Sequence, residues 1–144
     1  MDWLVEFVVG ELYARARLDI AQPCGAVRVA MAILGSHCMR VVSPRSIPGN
    51  AALAWGPHGA TMYIRDRLRP HQVNVAVAHE LAEWKLRLWD YVAEDSEELA
   101  RQIASALCVP RAAFDRARKD LGDSIHALSR RFGVSRALMA LRFA

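Results

Sequence analysis

A chain of 144 residues, 53% of them hydrophobic and 24% charged, fits one globular domain over residues 1–144 with a sizeable core. No apolar run is long enough to cross a bilayer as a helix. Three scattered cysteines without CxxC spacing, Cys24, Cys38 and Cys108, argue against a disulfide framework or thiolate zinc site and for a reducing cytoplasm. The net charge of +4 is lopsided: residues 111–144 carry eight Lys/Arg against three Asp, an excess that could attract nucleic acid or an acidic partner but reads first as a solvated helical surface.

The first segment, residues 3–17, reads as an amphipathic helix with Leu4, Phe7, Val8 and Leu12 on one stripe. Its acids and the lack of a basic region speak against a signal peptide. A second helix is expected to start near Pro23, run through Val27, Ala30, Met31 and Leu34, and stop at Gly35. Met39 to Val42 reads as a short strand and Ser43 to Asn50 as a loop, because its prolines and Gly-Asn pair forbid regular structure. Ala51 to Trp55 and Ala60 to Arg65 form a predicted β-hairpin around Gly56-Pro57-His58-Gly59, with His58 at an exposed tip. Pro70 opens a central helix to Leu88 or Trp89. Asp90 to Asp95 is a polar break, and Ser96 is the expected N-cap of a helix that ends before Pro110. A basic helix over 111–120 follows, then two short helices capped by Asp123 or Ser124 and by Ser135. The expected class is α+β: a small antiparallel sheet with a hairpin packed on the central helix, then a helical C-terminal half.

The central helix carries the chemistry. Within the apolar run Val73 to Trp84, His79 and Glu83 lie four residues apart on one face, with Glu80 one step round. A mostly apolar helix is normally buried, and buried carboxylates need a partner. An imidazole and two carboxylates at this spacing call for a cation. In the H-E-x-x-H helix of zinc peptidases, two histidines bind the metal from successive turns and the glutamate takes a proton from the attacking water. Here Glu83 stands at the second ligand position. A carboxylate ligates zinc, yet it weakens the ion as a Lewis acid and shifts preference toward harder ions such as Mn2+. A third ligand must come from elsewhere, and Glu94, Asp95, Glu97 and Glu98 all lie just downstream.

Two further segments carry a resemblance. Glu97-Glu98-Leu99-Ala100-Arg101-Gln102-Ile103-Ala104-Ser105-Ala106-Leu107-Cys108-Val109-Pro110 is similar to an E-x-x-A-x-x-F-A-x-x-L-x-x-P element, with Ile103 for the aromatic. Leu128 to Ser135 is similar to the tail that follows it. Together with His79-Glu80-Leu81-Ala82-Glu83, they make residues 50–144 resemble the ImmA/IrrE family of metallopeptidases. That resemblance implies a zincin-like fold. It also implies Zn2+ held by His79, Glu83 and Glu97, with Glu80 as catalytic general base. The implied partner is a protein substrate, a helix-turn-helix transcriptional repressor, cleaved in the cytoplasm. The departure at Glu83 bears on activity itself.

Plainer readings stand beside these. His79 alone is a hydrogen-bonded core histidine, Glu83 an ion-pair partner of Arg87, and Glu97 an acid complementing a helix dipole. The chain could also be a family member that has lost catalysis and only binds a regulator. A third reading makes Ile125 to Phe143 a DNA-reading helix-turn-helix, but Leu138, Met139 and Leu141 leave few polar positions for bases. Where an electrophilic assistant is needed, His71 and His126 are the candidates, both surface residues by default.

Overall fold

The computed structural model describes residues 2–22, 24–57 and 59–143. Within them the order is α1 (Asp2–Ala16), α2 (Ala26–Leu34), β1 (Met39–Val42), β2 (Ala51–Gly56), β3 (Gly59–Arg65), α3 (Pro70–Leu88), α4 (Ser96–Cys108), α5 (Arg111–Leu121), α6 (Ile125–Phe132) and α7 (Arg136–Arg142), with a 3-10 turn at Ser36–Cys38. The class is α+β, and the predicted hairpin is present as β2 and β3. His58 at its tip and Pro23 before α2 lie outside the described residues.

The sheet is mixed, which corrects the expectation of a purely antiparallel one. Its order is β1–β3–β2. β2 pairs antiparallel with β3, with Leu53 opposite Met62, while β1 runs parallel to β3, with Met39 beside Met62. The reason is the loop after β1, which carries the chain past the neighbouring position to the far edge. The hairpin return then inserts β3 in the middle. That strand is suited to the centre: Ala60, Met62 and Ile64 alternate inward and are buried.

Helix boundaries follow local chemistry. Pro70 is the first residue of α3, where its missing N–H is harmless, and the Gln72 side chain accepts the Arg69 N–H at 2.9 Å. Ser96 is not the cap of α4 but its first residue; Asp95 holds the cap position. Ser124 and Ser135 do cap α6 and α7, accepting the N–H groups of Ala127 and Leu138. α2 starts at Ala26, whose N–H is held by the Asn74 side chain of α3 at 2.6 Å. Gly25 before it has φ 79°, and a Cβ there would press on that amide.

α3 is the spine. Val77, Ala78, Leu81 and Ala82 are fully buried between α2, α4 and the sheet. Fully burying a side chain such as Leu81 stabilises by about 1.5–3 kcal/mol. α1 buries Val8, Val9, Leu12 and Tyr13, and the Tyr13 hydroxyl donates to Leu107 O at 3.2 Å. Phe7, assigned to the buried stripe by spacing, is instead exposed. The face that packs is 5-8-9-12-13-16, so α1 is apolar on its outer side as well. The C-terminal helices belong to the same body: Arg142 donates to Val109 O and to Glu6 Oε1, both at 2.9 Å.

Candidate metal centre

Positions 71, 75, 79 and 83 follow each other at four-residue steps up one side of α3. His71, Val75 and His79 from this row line a cleft of about 560 Å³, closed on other sides by Asn50 and Ala51 of the sheet edge and by Glu97 of α4. The cleft is open to solvent, while the opposite side of α3 is core. The burial of Leu81 and Ala82 therefore fixes which way His79, Glu80 and Glu83 point.

The break at residues 90–95 turns the chain so that α4 packs back along α3. Its first turn then meets the middle of α3. His79 Nε2 lies 3.1 Å from Glu83 Oε1 and 3.5 Å from Glu97 Oε1. One donor atom from each of these three residues lies within 4.8 Å of the others. One imidazole nitrogen and two carboxylate oxygens, half-buried on one side and open on the other, form a donor set suited to zinc or manganese. The other downstream acids do not join: Asp95 accepts the Tyr91 hydroxyl at 3.0 Å, and Glu98 faces Arg101 at 3.5 Å. Nor does Glu83 pair with Arg87; it turns to His79 instead.

Glu80 stands beside this group. Its Oε2 accepts the Leu53 N–H of β2 at 3.2 Å. Burial, and then the negative charge of Glu83, raise its carboxyl above the ordinary carboxylate range; the Leu53 bond, His79 and Arg87 pull the other way. Glu80 also lines the same cleft as His79 and Glu97. Of the two histidines named as candidate electrophilic assistants, His71 lines the cleft, whereas His126 lies on α6 against Arg136 at 2.8 Å. Two contributors went unseen in the sequence. Arg101 lines the cleft and flanks Glu97 at 4.0 Å, and the only signal for it is its four-residue offset. The Leu53 N–H is a backbone group with no side-chain signature.

A helix-borne His-Glu pair facing a cleft beside a sheet edge is the layout of a small zincin-like domain. Residues 43–144 match the family described as the IrrE N-terminal-like domain, a peptidase M78 family, and the chain belongs to it. The fold is similar to that of a solved Mycobacterium tuberculosis transcriptional regulator, with a TM-score of 0.62 at 20% sequence identity. The match covers 96% of this chain and 46% of that one, so this chain spans about half the length of that protein. No curated protein sequence matches. Among the described residues, no helix is long and apolar enough to cross a membrane.

Proposed function

We propose that this chain is a metal-dependent peptidase whose substrate is a regulatory protein, with His79, Glu83 and Glu97 holding Zn2+ or Mn2+ and Glu80 as general base. The observation that carries this reading is the convergence of the three donor atoms beside a cleft that His79, Glu97 and the Glu80 carboxylate line. When bound, the ion supplies Lewis-acid polarisation of a carbonyl and lowers the pKa of water.

The chain's own residues do the rest. Asn50 O accepts the Arg65 N–H at 2.9 Å, which places that pair in the hydrogen-bonded register of the hairpin. The backbone groups of Ala51, Leu53 and Trp55 therefore face outward from β2. An extended peptide seats along this edge, next to Glu80. Glu80 takes a proton from the attacking water as oxygen adds to the scissile carbonyl carbon. It then delivers that proton to the departing amide nitrogen as the C–N bond breaks. His71, which lines the same cleft, is the side chain available there to donate to a substrate carbonyl oxygen. Such a family member acting on a helix-turn-helix repressor would relieve repression by cleaving it, and the cytoplasm is where both would meet.

One observation favours a second reading. Glu83 adds negative charge where the motif has a neutral ligand, so the chain can be a family member that binds a regulator without cutting it. Mass-spectrometric mapping of new N-termini in a lysate separates the two. The peptidase reading predicts termini in a transcriptional regulator that appear with the native chain and metal, and not with Glu80→Gln or a chelator. Capture of the regulator with no new termini would favour the binding module. The DNA-reading alternative has little support: α7 exposes Ala137, Ala140 and Leu141 beside Arg136, and its Arg142 is buried against α1.

A further inference from the structure

α1 is apolar on both sides. A helix of that kind is normally covered all round, yet one face of α1 lies open. Trp3 is 72% exposed and Phe7 54%, and beyond them Gly10 and Ala14 continue the same face. Their spacing, 3-7-10-14, is the seam spacing of paired helices. It is also palindromic: the steps are four, three, four. The bulky residues occupy one half of the stripe and the small ones the other.

Gly10 is not required by the chain itself. A Cβ there would meet nothing within 4 Å, although glycine in a helix interior costs about 1 kcal/mol relative to alanine. Close approach of another backbone is the remaining physical use for it.

We infer that this face pairs with α1 of a second copy of the chain, antiparallel, about a two-fold axis between residues 8 and 9. In that register Trp3 of one copy covers Ala14 of the other, and Phe7 covers Gly10, on both sides of the axis. Each large residue meets a small one, as an isologous interface requires. A parallel pairing would instead set Trp3 against Trp3 and leave Gly10 facing Gly10. The flanking acids do not oppose the arrangement, because Glu6 and Glu11 are already paired with Arg142 and Lys85 of their own chain. The patch extends across Phe7, whose ring lies 6.0 Å from that of Trp89, toward the exposed Leu88 and Val92. Together these side chains present on the order of 600 Å² per copy, the low end of what stable interfaces bury. The inference is independent of the peptidase reading.

Sedimentation velocity over low to high micromolar protein tests it, with circular dichroism as the check on folding. The native chain should show a concentration-dependent dimer. Ala14→Trp should weaken dimerisation about tenfold or more by setting Trp against Trp, and so should Phe7→Glu. The double variant Trp3→Ala/Ala14→Trp swaps large and small, and should restore the native dissociation constant to within about threefold. A native chain that stays monomeric, a dimer insensitive to the folded single variants, or a double variant no tighter than Ala14→Trp would each overturn the inference.

Discussion

Glu80 Oε2 accepts the backbone N–H of Leu53 at 3.2 Å, so a carboxylate that shares the cleft with His79 and Glu97 is anchored to the sheet edge as well as to α3. This bond holds the proposed base beside the strand along which a substrate would lie. It also keeps Glu80 in a setting where burial and Glu83 disfavour its charge.

A consequence is a trade between activity and stability. A carboxyl whose folded pKa is raised favours folding less as pH climbs: its ionisation cost is absent below the ordinary carboxylate range and is complete above its raised folded value. Glu80→Gln keeps an oxygen for the Leu53 N–H and removes the charge. With metal chelated, the variant should melt higher than the native chain at neutral pH, and the difference should shrink on acidification. Hydrolysis should fall by about 10²–10⁴-fold while metal binding persists. Thermal melts at two pH values together with a zinc titration check all three outcomes.

Glu83→His restores the second imidazole of the zinc-peptidase helix. If Glu83 is a ligand, zinc affinity should be kept or raised, and affinity for manganese should drop relative to zinc. A competition titration with a chromophoric chelator measures both. Loss of zinc binding in this variant would mean that position 83 does not face the ion.

Arg142 connects the end of the chain to its beginning through Val109 O and Glu6. Arg142→Ala strips a buried carbonyl and a partly buried carboxylate of their donor. The expected loss is about 2 kcal/mol, or roughly 4–8 °C in Tm for a chain of this size. Metal affinity should be unchanged, since Arg142 lies outside the cleft; a melt and a titration on the same sample test the pair.

Much of this could be read in the sequence because it is local. The four-residue step from His79 to Glu83, the prolines at 70 and 110, and the Gly-rich turn at 56–59 each constrain only their neighbours. α3 and α4 appear close to where periodicity puts them. Family resemblance singles out Glu97 among four nearby acids, and the fold brings that one to His79. What the sequence hid depends on distant partners. The parallel β1–β3 pairing is decided by where a loop crosses, not by strand composition. Asn74 holds Ala26 across 48 positions. Phe7 looked like core by spacing, but burial of α1 is set by where α2 and α4 lie. The plainer alternative for Glu83, a pair with Arg87, lost to His79, a competition between two partners each one turn away on the same helix.

The central claim is that His79, Glu83 and Glu97 hold a catalytic metal ion. Metal analysis of the purified chain after exposure to zinc and manganese, with Glu97→Ala beside it, tests this most directly. The account predicts close to one ion per native chain and an affinity about a hundredfold weaker or worse in Glu97→Ala. A native chain that retains no ion under metal-replete conditions, or a Glu97→Ala variant that binds as tightly as the native chain, would contradict it.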